Sequence, residues 1–589
     1  MMKFSPYLLT IVLVSWTCLG VSSTDARPNV VLIMTDDQGY GDVGIHGHPH
    51  LKTPNMDRLA REGVRLDQFH VDPTCSPTRA ALMTGRYSGR VGVWHTVMGR
   101  NMVREDETMI GEIFRDAGYR TAIFGKWHLG DSYPYGARFR GFEDEAIVHY
   151  GGGVGQTPDY WGNDYFEDHY NNLGFWEPYQ GYCTDVWFRE ALRFVRDSQK
   201  ADQPFFLYLP TNAAHQTRVH VAERYRALYD DIDVPEQMKI FWGMITNIDD
   251  NLGVFLDRLE RWGLMENTIL VFMGDNGTQS GPNWWPPAQR PDEEVWSDWL
   301  NAGMRGNKAS QYDGGHRVFG FVHFPPAGLT GGRVVRQITA HIDILPTLLE
   351  LAEIDVPEGL ELDGVSLVPL LSGNDAEWPE RTLFLQNQRV LHPVKWRMTS
   401  VMTDRWRLVD NTELYDMRAD PGQRNNVIED YPGVVAELRQ AYDEWWDDIS
   451  LRFDETTPLY IGSEQQPVVQ LNAHDWMTED VRDIPWNQPH VLQRPATNGP
   501  WHVRVARDGR YAFTLRERPE IAGFPLTAAH ARLRIGGQVD EVKSVPANAT
   551  EVRVEAELEA GDMEIKSWLV DPDGATRGAY FVEVHFLGG

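Results

Sequence analysis

The chain has 589 residues, 42% of them hydrophobic, with 21 Trp and a formal net charge of -30 at pH 7. That length supports a large core and more than one domain, and the apolar content excludes a disordered chain. The acidic balance argues against nucleic acid as a partner, and any anionic substrate needs a locally basic pocket.

Met1 to about Ser23 reads as a signal peptide. Lys3 supplies the positive start, Tyr7 to Leu19 is apolar but too short to span a bilayer, and Val21-Ser22-Ser23 offers small residues for cleavage. The chain is therefore expected to be secreted or periplasmic, without stable membrane insertion. Cys18 leaves with the leader, so Cys75 and Cys183 remain. They either pair as a disulfide or stay unpaired.

Asn29 to Met34 is a continuous apolar run suited to a central parallel strand. It ends in Asp36-Asp37, and Thr268 to Met273 is a second such run, ending in Asp275-Asn276. Carboxylates at the carboxyl end of a buried strand repel unless a cation or protons lie between them. Asp36, Asp37, Asp275 and Asn276 form a hard, all-oxygen set that selects Ca²⁺ or Mg²⁺ over zinc. A sequon at Asn276-Gly277-Thr278 is read as noise, because a metal-ligating Asn cannot carry a glycan.

Thr53 to Gly63 reads as a capped helix. Pro73 to Gly85 contains a second, with Ser76 as cap, Pro77 in the first turn and Gly85 as stop. That places Cys75 just outside a helix N-terminus, where an anion is favoured, with Arg79 one turn in. Tyr119 to Gly125 is a short strand presenting Lys126 and His128 on one face. Pro204 to Leu209 is another buried strand, followed by His215, and Gln237 to Gly263 is a long helix. The insertion from Thr278 to Leu300 holds four Trp, which form a satellite core or stack on sugar rings. Trp284 and Trp285, with His316 and Arg317, are the candidate substrate contacts.

Trp406 to Val409 and Glu413 to Asp416 alternate as short strands, and Val434 to Ile449 is an amphipathic helix. From Trp501 onward the pattern is all β, with Asp508-Gly509 as a hairpin signal.

The segment Cys75-Ser76-Pro77-Thr78-Arg79, with Gly125-Lys126-Trp127-His128 and Lys308 to Val318, resembles the signatures of the type I sulfatases. Asp313 stands where that pattern has Glu, and Phe124 where it has a smaller residue. The resemblance covers roughly residues 29 to 450. It implies an α/β fold with a large, mixed, mostly parallel sheet sandwiched by helices. A small antiparallel C-terminal subdomain follows, and the all-β pattern adds an appended β-sandwich. The expected domains are a catalytic domain at 27–372, an α+β subdomain at 373–450, a linker at 451–499 and the sandwich at 500–589.

The resemblance further implies that a maturation enzyme oxidises Cys75 to Cα-formylglycine, which leaves Cys183 unpaired and buried and is preferred over a disulfide. It makes Asp36, Asp37, Cys75, Asp275 and Asn276 the surroundings of a divalent ion, calcium ahead of magnesium. Arg79, Lys126 and Lys308 become sulfate-binding, and His128 and His215 become proton-transfer groups. The expected activity is hydrolysis of sulfate esters on a small molecule or glycan, and the export signal, the Trp-rich insertion and the appended β domain point to a sulfated carbohydrate or polysaccharide-derived oligosaccharide as substrate. Two alternatives stay open: a phosphomonoester, phosphodiester or phosphonate hydrolase of the same superfamily, and a non-catalytic binder of sulfated glycans if Cys75 stays a thiol.

Overall fold

Strand β1 (Asn29–Thr35) is buried along its whole length because its alternate residues feed two cores. Val31 and Ile33 pack into one, with Trp187 and Phe241, and Val30, Leu32 and Met34 into the other, with Leu82 and Ile110. This is the two-sided burial expected of a central parallel strand. The computed structural model describes residues 27–215, 221–374 and 378–589. The expected signal peptide lies outside the described residues.

Nine more strands complete the sheet. They are β2 (Val64–His70), β3 (Arg120–Lys126), β4 (Glu145–His149), β5 (His169–Asn172), β6 (Phe175–Pro178), β7 (Phe205–Pro210), β8 (Thr268–Gly274), β9 (Arg317–His323) and β10 (Arg333–Ala340). Their order is β10-β2-β9-β8-β1-β7-β3-β4-β5-β6. The middle run from β8 to β4 is parallel throughout. The β9 strand and the β5–β6 hairpin are antiparallel to their neighbours.

A four-stranded antiparallel sheet follows, β11 (Leu383–Gln386) to β12 (Thr399–Met402), β13 (Trp406–Val409) and β14 (Glu413–Asp416). The helix Pro432–Ile449 packs on it through Leu438, Tyr442 and Trp445.

The stretch 451–499, expected as a linker, is part of the sandwich. It supplies β15 (Leu459–Ile461), parallel to β17 (Trp501–Val505), and β16 (Val468–Asn472), antiparallel to β24 (Phe581–Gly588). Leu459, Ile461, Val469 and Leu471 are buried in the sandwich core, so these short runs gain from burial despite their polar flanks. The expected Asp508-Gly509 hairpin is also corrected. Strand β18 (Gly509–Arg516) pairs with β21 (Val552–Leu558) and β24, whereas β17 pairs with β15 and β22 (Gly561–Val570). Both strands alternate, and the turn carries the chain from one sheet to the other because each layer needs an inward apolar face.

The sandwich docks on the domain built around the ten-stranded sheet. Val97, Met98, Met102 and Tyr135 share its core, and Met98 N donates to His474 O at 2.9 Å. Asp131 is buried in this seam and accepts from Asn472 Nδ2 at 3.3 Å. Burial, reinforced by Asp475, pushes its carboxyl from 3.8 up to about 8. The folded chain thus holds a proton that the unfolded chain gives up. The stabilisation is present in acid and is lost as pH rises from about 4 towards 8. Asp131→Asn, uncharged at every pH, is expected to gain thermal stability relative to wild type between about pH 5 and about pH 8. Melting temperatures of both chains at the two pH values check this; a constant difference would contradict it.

Candidate active site

Because β8, β1, β7 and β3 run parallel, their carboxyl ends deliver Asp275-Asn276, Asp36-Asp37, Thr211–His215 and Lys126–His128 to one edge of the sheet. Ligand sites in open α/β sheets form at this edge. Backbone hydrogen bonds fix the segments to one another. Asp275 N donates to Thr35 O at 3.0 Å, Asp36 N to Ala213 O at 3.1 Å, and Lys308 N to Thr278 O at 2.9 Å. Strand β2 leads into the helix Cys75–Thr84, which starts at Cys75 itself with Thr74 as N-cap. That is one or two residues earlier than Pro77 suggested. Pro77 still lies in the first turn, where its missing N–H leaves no gap. Gly85, in the left-handed region at φ +67, ends the helix.

Two other glycines are required by contact. Gly125 has φ +130, and a Cβ there would stand 1.8 Å from Pro210 O, so only glycine lets β3 pass β7 before Lys126. A Cβ on Gly152 would stand 2.7 Å from Cε1 of His128.

The acids and bases meet in a buried network. Arg79 donates to Asp275 Oδ2 at 2.9 Å and to Lys126 O at 2.9 Å. Lys126 Nζ lies 2.6 Å from Asp36 Oδ2, and Lys308 Nζ lies 2.5 Å from Asp37 Oδ1. Asn276 Nδ2 donates to Asp37 Oδ1 at 2.9 Å. Cys75 Sγ donates to Asp36 Oδ1 at 3.6 Å. Asp36, Cys75 and Asp275 can point ligand atoms at one another within 4.8 Å, as can Asp37, Cys75 and His215.

Burial, then Asp275, raises the Asp36 carboxyl well above its ordinary range despite Lys126. Burial pushes the Cys75 thiol up to about 12, so the unmodified side chain is a protonated thiol. Burial, helped by Lys126, holds His128 well below an ordinary histidine, and burial with Lys308 does the same to His215. Both are neutral imidazoles. Their Nδ1 atoms are buried and have no hydrogen-bond partner among the described residues.

These residues fit a divalent ion. Asp37 Oδ2 and Asn276 Oδ1 are buried without partners among the described residues, beside two further carboxylates. Unpaired oxygens held together away from water are costly unless a cation shares them.

Cys75, His128, His215 and Lys308 line a cavity of about 400 Å³. Arg79 and Lys126 are fully buried behind the carboxylates they bind rather than on its wall. The cavity is also lined by Gln156, Arg389 and Trp486, which sequence reasoning missed. Arg389 has no ion pair among the described residues, and no local motif marks it. Trp486 comes from the stretch read as linker. The Gly151-Gly152-Gly153 run was the one visible signal near Gln156.

The four expected substrate contacts lie elsewhere. Trp284 and Trp285 pack against the catalytic core, Trp284 edge-on to Phe241 at 5.6 Å, so they serve as a satellite core. His316 is fully buried and bonds His70 Nδ1 at 3.0 Å. Arg317 donates to Asp67 O at 2.8 Å and lines a different cavity. Asp313, beside them, belongs to the same buried network. Burial alone would raise its carboxyl, but Arg407 at 3.0 Å pulls it below the usual range. Cys75 and Cys183 are both buried and form no disulfide with each other.

Comparison with known proteins agrees with this geometry. The family profile described as Sulfatase matches residues 28–354, over half of the chain. The profile described as N-sulphoglucosamine sulphohydrolase, C-terminal, matches residues 307–446. Arylsulfatase J of Mus musculus is 29% identical over 368 residues, 60% of this chain and 57% of its own. N-acetylgalactosamine-6-sulfatase of Canis lupus familiaris is 31% identical over 383 residues, 60% of this chain and 68% of its own. The crystal structure of Ps i-CgsB in complex with k-i-k-neocarrahexaose matches at TM-score 0.63 and 27% identity, over 73% of this chain and 96% of that one. The chain belongs to the sulfatase family of sulfuric ester hydrolases. Both profiles end before the sandwich.

Removing one partner of a buried ion network strands the other charges. Arg79→Ala is therefore expected to destabilise the chain by about 3–5 kcal/mol, and Arg79→Lys by less. Denaturant titration of the two variants and wild type checks this.

Proposed function

We propose that this chain hydrolyses sulfate esters of a carbohydrate, with residue 75 matured to Cα-formylglycine and calcium held by Asp36, Asp37, Asp275 and Asn276. The observation that carries the reading is the all-oxygen cradle against Cys75, backed by Arg79 and Lys126 and flanked by Lys308. A hydrated formylglycine supplies a hydroxyl nucleophile and a second hydroxyl whose deprotonation releases sulfate, and the ion supplies positive charge beside it.

The chain's own side chains do the rest. Lys308 faces the cavity and binds the sulfate oxygens as charge builds. Arg79 and Lys126 neutralise Asp275 and Asp36 and hold them in place. His215 offers a ring N–H to the oxygen of the leaving alcohol, with the Lys308 ammonium beside it as the proton source, and neutral His128 accepts a proton at Nδ1. Its Nε2 is engaged with Thr96 O at 2.9 Å, which fixes the ring. Arg389, Gln156 and Trp486 offer charge, hydrogen bonds and an apolar face to a sugar. The named activities of the relatives, N-acetylgalactosamine-6-sulfatase and a neocarrahexaose-bound structure, support a sulfated glycan over another sulfate ester. The signal-peptide pattern of residues 1–23 in the sequence supports export, and no described helix is long and apolar enough to cross a membrane.

Two linked measurements test the proposal. The purified chain is expected to hydrolyse an aryl sulfate faster than the matching aryl phosphate. The peptide containing residue 75 should be about 18 Da lighter than the thiol form. Cys75→Ala should lower turnover by about three orders of magnitude or more while leaving the fold intact. Full turnover by a preparation whose residue 75 is entirely thiol would contradict the proposal.

A further inference from the structure

A second cavity, of about 680 Å³, opens where the sandwich meets the catalytic domain. Thr157 to Trp161 and Trp176 of the β5–β6 hairpin line one side, and β16, Glu583 and the segment after Arg516 line the other. It is distinct from the catalytic cavity. Gln156 faces that one and Thr157 faces this one, so a single loop forms the wall between them. Its volume lies within the range of pockets that enclose a drug-sized ligand, enough for about three sugar rings.

The lining has three features that together describe a ligand. The first is aromatic. Trp176 is 36% exposed and tilts against Tyr160 at 5.6 Å, and Trp161 is held edge-on by Phe581 at 6.4 Å. Ring faces left open beside a cleft stack on the C–H faces of sugars. The second is an unmet hydrogen bond. Ser132 is 2% exposed, lines the cleft, and its Oγ has no partner among the described residues. A ligand hydroxyl would relieve that cost. The third is charge. Among the described residues, Arg516 is the only cation in the lining, and it is already held by Glu551, by Glu583 at 3.5 Å and by Glu520 at 3.8 Å. Asp159, Glu520 and Glu583 also line the cleft. A sulfate ester placed there meets carboxylates and no free cation, whereas neutral hydroxyls find acceptors.

We propose that this cleft binds an uncharged run of hexose units, the unsulfated stretch of the glycan whose sulfate ester enters the catalytic cavity; the inference rests on the carbohydrate reading above. The shared loop then places a recognised neutral segment next to the reacting one. Such a site gains affinity for a chain carrying both kinds of unit, through effective concentration rather than tighter contacts at the sulfate.

Calorimetric titration of the full chain with neoagarohexaose and with cellohexaose, two uncharged hexasaccharides, tests this without turnover. Saturable binding of at least one, with Kd of about 1 mM or tighter, is expected. Trp176→Ala should weaken it at least about fivefold, with Ser132→Ala weakening it less. Aryl sulfate hydrolysis by Trp176→Ala should match wild type, since the hairpin does not touch the catalytic cavity. Three results would each overturn the proposal: no binding of either sugar up to about 20 mM, binding unchanged in both variants, or binding displaced by inorganic sulfate. A chain that binds the hexasaccharide yet hydrolyses no sulfate ester would refute the catalytic reading alone.

Discussion

Three carboxylates and three cations share one buried volume at the carboxyl edge of the central sheet, and the rest of the site follows from balancing them. Asp36, Asp37 and Asp275 are each completely removed from water, and each touches one of Lys126, Lys308 and Arg79. Such a cluster is tolerable only if every charge has a counter-charge and every lone pair a donor. The balance is incomplete among the protein atoms. The Asp36 carboxyl is pushed upward even with Lys126 against it, and oxygens of Asp37 and Asn276 lack partners. A divalent cation would complete it, and the helix Cys75–Thr84 sets residue 75 against the same oxygens. Three cations are thus gathered at one point of an otherwise acidic chain.

The appended sandwich is part of that site rather than a passenger. Its Trp486 and Val481 form one wall of the catalytic cavity, and His474 lies 6.2 Å from the His128 ring. Its core closes over Val97 and Met98, next to Thr96, which fixes the His128 ring. The seam thus bears on how the His128 ring is held and on the shape of the cavity beside it.

Much of this was legible in the chain itself, for a physical reason. Buried strands that end in Asp-Asp or Asp-Asn are locally costly, and that cost is visible in a few contiguous residues. Cys75, Arg79, Lys126 and His128 are equally local, each set by a strand end or a helix start. What escaped was non-local. Arg389 and Trp486 sit in irregular segments whose approach to the cavity is decided by tertiary packing. The 451–499 stretch hid two strands because each is short and flanked by polar residues, and only pairing with strands far along the chain reveals them. Asp508-Gly509 has the chemistry of a tight hairpin, but strand partners are chosen by burial across two layers. Trp284 and Trp285 could have served a core or a ligand, and packing against Phe241 decided for the core.

The central claim is that the oxygen cradle beside residue 75 holds a divalent cation without which the chain has no activity. Metal content and aryl sulfate turnover, measured before and after chelation and again after adding calcium, test it most directly. The account expects a single tightly held ion per chain, turnover lost with its removal and regained on its return. Undiminished turnover in protein stripped of divalent metal would contradict it.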